Sequence, residues 1–499
     1  MYWNAGGRRS GALPEADWTA DRIADRLLRF HSEHLDDQAV TRLEFVEHIA
    51  YLLFLKIDHE RSQRGGRFAS KPVAPMGTWP RLTDLSGDTL HRQLHELMYL
   101  LGEARTERHP ERATAKVLFR DARPWNVQRM SELSRLMVEE IDAYQWTSVP
   151  SDALGRAFSR LILDCRVDIL GKKGTGQILT PLAVLTVLAR ALDIRPDDRV
   201  IDPAGGSGGS LIAAHRVMLG HGGRVGPEAI AAADLDPQMC RLATMNILLN
   251  TGRPFDEAPP VVQADSLKLQ GVPLQRADST VIPTVALCNP PFRNTGGGPE
   301  SEQRADFWAH FDYPTDFLQH IAITLPIGAR AAVFVPEGVL VNPGAATVRR
   351  NLLQTCDVHT LLRLPTGLFH GTNAKSNVLF FTKAAPKPNG EPATNELWVY
   401  DARDRHHTDT HNPVTEADFD DFLTVYRPAG DFENREPSRG FGRHSAHEIL
   451  AHRDASLNLS ADQAAGPQEF GSPHEIALSI ADRLAEAEDR FRAVGEALR

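Results

Sequence analysis

A chain of 499 residues is long for a single core and predicts two or three domains. Its 42% hydrophobic and 24% charged content is that of an ordinary soluble globular protein, and its apolar runs, IAYLLFLKI (49–57) among them, fall short of a membrane span. The formal charge of −10 argues against a chain that grips nucleic acid unaided, because phosphate contacts need Lys/Arg-rich surface, although a local basic groove or a basic partner would supply them.

The opening MYWNAGGRRSG has no apolar signal core, which predicts a cytoplasmic protein. Residues from about 16 to 165 read mostly as helices. Leu43, Val46, Ile49, Leu53 and Ile57 recur at three- and four-residue steps and predict one apolar stripe. After about residue 170 short β-rich runs alternate with helical ones. The strand-like runs are RVIDPA, AIAAADLD, PVVQADSL, TVALCNPPF, ARAAVFVPEGV, VHTLLRLP and SNVLFFTK. PLAVLTVLARAL, PQMCRLATMNILLN and TDFLQHIAITL are helix-like. Such alternation predicts an α/β fold with a doubly wound sheet. The last two strand runs have no helix-length spacer, so they are expected to pair as an antiparallel hairpin at the sheet edge. AAPKPNGEPATNE, after residue 383, reads as a linker or surface loop. At the C-terminus, Ser472-Pro473-His474-Glu475 fits a capping box, and Ile480, Leu484, Ala487, Phe491, Val494 and Leu498 form a heptad-like seam. That helix would lie on its own domain or meet a partner. The expected domains are 1–165 (helical), 166–400 (α/β), 401–465 (mixed extension) and 466–499 (C-terminal amphipathic helix).

Chemistry concentrates at four strand tips. The first runs Asp202-Pro203-Ala204-Gly205-Gly206-Ser207-Gly208-Gly209-Ser210. A glycine-rich turn between strand and helix brings backbone N–H groups close to a ligand. This one departs from GxGxxG and lacks the GK[ST] of a phosphate loop. The carboxylate ahead of the glycines suits a ligand with a cationic amino group, such as S-adenosylmethionine (SAM), better than a pyrophosphate. The second tip, Ala233-Asp234-Leu235-Asp236, offers acceptors for ribose hydroxyls, and Asp265 of the third could accept from an adenine amino group. Taken singly, each acid is equally a helix cap or a solvated loop residue.

The fourth tip is Asn289-Pro290-Pro291-Phe292. The lone pair of adenine's amino group is delocalised into the ring. Acceptors on both amino hydrogens, the Asn289 side chain and the Pro290 carbonyl, would favour a pyramidal nitrogen with a freer lone pair. Two prolines would hold that geometry without a competing N–H, and Phe292 could stack on a flipped base. Neither a metal nor a covalent intermediate is required.

With GTGQILTP (174–181), these motifs resemble the amino-methyltransferases that modify adenine in DNA, in particular the modification subunit of type I restriction–modification systems. The resemblance covers nearly the whole chain. It implies a SAM-methyltransferase (Rossmann-like) sheet with an N-terminal helical domain and a C-terminal helix. It also implies a SAM pocket formed with the help of Gly176, Gln177, Thr180 and Pro181, and a methionine cradle at Asp202, Ala204, Gly206, Ser207, Gly208 and Gly209. Asp234 and Asp236 would serve ribose, Asp265 the adenine of the cofactor, and Asn289, Pro290, Pro291 and Phe292 the target base. Double-stranded DNA with a flipped adenine would be the substrate, with a specificity subunit and a restriction subunit as partners and no membrane. The chain departs from the family at Gly205, usually cysteine, at Ser210, usually large and apolar, and at Ile178 and Leu179, where aromatics are commoner.

The rival readings are an orphan or other phage-defence adenine methyltransferase, a non-catalytic SAM-binding subunit, and a protein-glutamine or RNA methyltransferase. His406, His407 and His411 lack a fourth ligand, so no metal is expected. The cysteines, Cys165, Cys240, Cys288 and Cys356, have no CxxC spacing and suggest neither zinc nor disulfides. Lys172 and Lys173 could meet DNA phosphate or simply be solvated. NTGGGPESEQRAD (294–306) reads as a loop able to close over the base.

Overall fold

The computed structural model describes residues 19–35, 40–63, 72–122, 130–171, 179–268, 282–292, 304–369, 375–405, 407, 413–427, 432–438 and 440–461. Eight helices come first: α1 (Ala20–His34), α2 (Arg42–Ser62), α3 (Thr78–Asp84), α4 (Gly87–Gly102), α5 (Ala113–Phe119), α6 (Met130–Asp142), α7 (Ser151–Asp164) and α8 (Arg166–Gly171). A reciprocal capping box between Thr41 and Glu44 starts α2. The predicted stripe on α2 is buried, but so are Phe45, Ala50, Tyr51, Leu52, Phe54 and Leu55. The helix is apolar on most faces because other helices enclose it.

The α/β part begins with α9 (Leu182–Ala191), β1 (Val200–Asp202), α10 (Gly209–Gly220), β2 (Ile230–Asp234), α11 (Pro237–Thr251), β3 (Val261–Gln263) and β4 (Val285–Cys288). It continues with α12 (Tyr313–Thr324), β5 (Arg330–Pro336), α13 (Glu337–Val341), α14 (Ala346–Thr355), β6 (Cys356–Arg363) and β7 (Ser376–Lys383). It ends with β8 (Glu396–Asp401), α15 (Asp420–Tyr426), β9 (Phe441–Ser445) and α16 (Ala446–Ala451). The nine strands form one sheet in the order β3-β2-β1-β4-β5-β7-β6-β8-β9. Strands β1 to β5 are mutually parallel and β7 is antiparallel to both neighbours.

The β6–β7 antiparallel pair is where the sequence places it, but it is not at the edge. β8 pairs parallel with β6, and β9 then pairs antiparallel with β8. The 401–465 stretch therefore feeds the same sheet as far as it is described. The C-terminal amphipathic helix lies outside the described residues.

Period-two alternation sorts the strand side chains into two layers. Val285 and Leu287 of β4 join the cluster under α9, α10, α11 and α15. Ala286 and Cys288 join the one under α12, α13, α14 and α16. The other side of α11 belongs to the helical unit: Met239, Leu242, Met245, Leu248 and Leu249 share one core with Leu53, Leu101 and Phe158. The packing is thus continuous across residue 165. No described helix is long and apolar enough to cross a membrane.

Candidate active site

Strand order reverses between β1 and β4, and a crevice opens at the carboxyl ends of strands flanking such a switch point. A cavity of about 370 Å³ lies there, large enough for a small molecule. Its walls come from the tips of β1 to β4 and the first turns of α9 to α12, with Ile169 of the helical unit closing one side.

The glycine-rich loop is folded by its own hydrogen bonds. Asp202 accepts from the Ala204 N–H at 2.9 Å, Gly205 donates to the Ala233 carbonyl at 2.9 Å, and Gly206 donates to Asp234 Oδ2 at 2.8 Å. Gly208 takes a φ of 83° as it caps α10, a conformation in which side chains are unfavourable. It supplies no capping side chain, so the first N–H groups of α10 keep their donors for a ligand. Gly205 is set by contact: a Cβ there would stand 2.7 Å from the Ala232 Cβ. This local crowding favours glycine at the position.

Asp202 is buried. Besides Ala204, its carboxylate accepts from the Ser210 hydroxyl and the Cys288 thiol. Burial pushes its pKa up to about 6. The acid thus braces three elements, β1, the start of α10 and the tip of β4. Ser210, replacing a large apolar residue of the resembled family, is one of its partners.

Asp234 accepts from Gly206 through one oxygen and from Asp236 N–H through the other, and burial raises its pKa. Asp236 is the N-cap of α11, accepting from Gln238 N–H at 2.8 Å. Asp265 accepts from Leu267 N–H at 3.1 Å and lies 3.7 Å from the Lys268 ammonium. All three line the cavity. The helix-cap alternative thus describes Asp236 well, without removing it from the wall.

At the fourth tip, Asn289 donates from Nδ2 to Thr180 Oγ1 at 2.8 Å. Its Oδ1 is buried on the cavity wall with no partner. Thr180, Asp202, Ala204, Gly206, Ser207, Gly209 and Pro291 line the same space. Pro181 is the N-cap of α9 and Pro290 is buried; neither is a wall. Phe292 is partly buried against the core beneath α9 and α10 rather than lining the cavity. Gly176, Gln177, Lys172 and Lys173 lie outside the described residues, as do His406, His411 and most of the 294–306 loop.

Walls that the sequence did not single out include Ile169 on α8, Leu185 on α9, Met239 on α11, and Tyr313 and Phe317 on α12. Tyr313 and Phe317 stand four apart at the start of a helix after strand β4, which is the only pattern that could have flagged them. Among the described residues no group of three or more His, Cys, Asp or Glu side chains could hold a metal ion. All four cysteines are free and buried.

The model of the family N-6 DNA Methylase matches residues 150–469. The chain belongs to this family. It is a SAM-dependent DNA methyltransferase specific for adenine, similar throughout to type I methylase subunits. It is 30% identical over 460 residues to the type I restriction enzyme StySPI methylase subunit of Salmonella potsdam, covering 86% of this chain and 80% of that one. It is also 30% identical to the StySJI methylase subunit of Salmonella typhimurium, over 79% of this chain and 74% of that one. A solved modification subunit from Vibrio vulnificus, ascribed to a type I restriction enzyme, superimposes with a TM-score of 0.68 at 22% identity. That match spans 87% of this chain and 93% of the other, and it shows the shared fold.

Proposed function

We propose that this N-6 DNA methylase binds SAM in the switch-point cavity and presents a flipped adenine of double-stranded DNA to it at Asn289, as the modification subunit of a type I system. The unpartnered, buried Asn289 Oδ1 carries the reading, because a buried acceptor without a donor is costly unless a ligand supplies one.

The residues present fit the cofactor. The open N-terminus of α10 suits its carboxylate, and ionised Asp202 stabilises its amino cation. Asp234 has acceptor capacity left for ribose hydroxyls, and Asp265 for the adenine amine. The apolar walls Leu179, Met239 and Leu267 suit the flat faces of a purine. Bound there, SAM supplies an electrophilic methyl group on sulfur. The protein's part is positioning and charge placement. Asn289 Oδ1 and the Pro290 carbonyl hold the two amino protons of the target, so that its lone pair turns to the methyl donor. We assign the face of the target base to Phe292, which is half-buried at the end of the motif, outside the cavity wall. The amino proton displaced by methylation passes to solvent, since neither acceptor is basic enough to keep it.

The acidic net charge supports a division of labour in which a specificity subunit supplies most DNA contacts and a restriction subunit joins the complex. The same reading has the protein act in the cytoplasm, beside the DNA it modifies. Deleting the gene and sequencing native DNA for N6-methyladenine tests the reading. Loss at one motif, restored by the wild-type gene but not by Asn289→Ala, is expected. Unchanged methylation refutes it.

A further inference from the structure

The sequence places Thr180 beside the cofactor; the structure gives it a second task. Thr180 Oγ1 accepts the Nδ2–H of Asn289 at 2.8 Å, across 109 positions of sequence. The opposite end of the same amide, Oδ1, is buried and has no partner. We infer that Thr180 is a positioning residue that pins the plane of the Asn289 amide beside the target amine.

An asparagine amide is nearly symmetric in shape but opposite in chemistry at its two ends. Turned by half a circle, it would aim two N–H donors at an amine that also needs acceptors. The backbone holds Asn289 between the buried strand β4 and two prolines, but leaves the last side-chain torsion broad. Among the described residues no other hydrogen bond holds that torsion. Thr180 is well suited to do so, because it precedes Pro181, the N-cap of α9, and Val184, Leu185 and Leu188 of that helix are buried in the core. Engaging one end of the amide there fixes the torsion and turns the other end to the cavity.

This rests on the reading of Asn289 as an acceptor for the target amine. The test uses the full-length protein in the complex it forms in its host, unmethylated DNA and tritium-labelled SAM, with SAM binding measured separately by calorimetry. Thr180→Val removes the hydroxyl at nearly constant shape, Thr180→Ala serves if the valine variant does not fold, and Thr180→Ser restores the hydroxyl. Loss of one orienting hydrogen bond is expected to lower kcat at saturating SAM by about 10-fold or more. SAM affinity should stay within about two-fold, and Thr180→Ser should recover most of the lost turnover. Unchanged kcat in the valine and alanine variants overturns the inference. So does a weakened SAM affinity with full turnover restored by excess SAM, which would make Thr180 a cofactor contact alone. A wild-type complex that labels no adenine overturns the reading of Asn289 instead, and the inference falls with it.

Discussion

With Asp202 as the proposed partner of the SAM amino cation, SAM binding is expected to depend on pH in a set direction. Burial lifts the Asp202 pKa from the ordinary 3.8 to about 6. The raised value means the folded state holds its proton more tightly than the unfolded chain does. The associated stability is present in full below about pH 4 and is lost as pH rises through about 6, by at most about 3 kcal/mol. A cationic amino group brought beside the carboxylate favours the ionised form and pulls the pKa back down. Affinity must therefore fall with pH below the free-protein value. If the protonated acid contributes nothing, a pKa near 6 gives roughly ten-fold weaker binding at pH 5 than at pH 8. Calorimetric titration with SAM at constant ionic strength across that range measures it. Asp202→Asn should abolish the slope, while any residual trend in that variant reports Asp234, whose pKa burial also raises. A flat wild-type profile, or an equal slope in Asp202→Asn, refutes the assignment of the charge interaction to Asp202.

Gly205→Ala places a methyl group 2.7 Å from the Ala232 Cβ, neither of which can swing aside. The loop must shift, with an expected loss of about 1–3 kcal/mol in urea unfolding and SAM affinity down at least about 10-fold. Glu47→Gln removes the negative partner of Arg241, which is buried between α2 and α11. A loss of about 3 kcal/mol is expected from the unpaired guanidinium, read as a lower urea midpoint. An effect under 0.5 kcal/mol, the ordinary scale of surface substitutions, would refute the burial argument.

Much of the sheet was legible because β1 to β7 lie in largely apolar, often β-branched runs, several of them closed by an acid or a proline. β9, FGRHS, has no such pattern, and it becomes a strand only because β8 presents an edge to it. Buried arginines mislead in the opposite way. Arg349 is 1% exposed and donates to the carbonyls of Val339, Asn342, Asp454 and Ala455. Arg363 does the same for Leu459 while pairing with Glu337. The segment after α16 has no sheet or helix to satisfy its carbonyls, so guanidinium groups replace the missing ladder. Nothing local in the sequence marks these arginines as internal.

The site shows the same division. Each acid and Asn289 could be named from its place at a strand tip, since topology alone brings those tips together. Their orientation is a different matter, because it is set by partners far away in sequence: Thr180 for Asn289, Ser210 for Asp202, and Glu47 for the first turn of α11 through Gln238 at 2.8 Å. The last of these joins the helical unit to the helix capped by Asp236, and Ile169 of the same unit forms part of the cavity wall. A methyltransferase sheet cut free at residue 165 would lose both that link and the apolar cover of α11 by α2, α5 and α7. The N-terminal helices are thus part of what shapes the proposed cofactor site, and a truncated catalytic domain should expose Leu242, Met245 and Leu249 to water rather than fold as an independent enzyme.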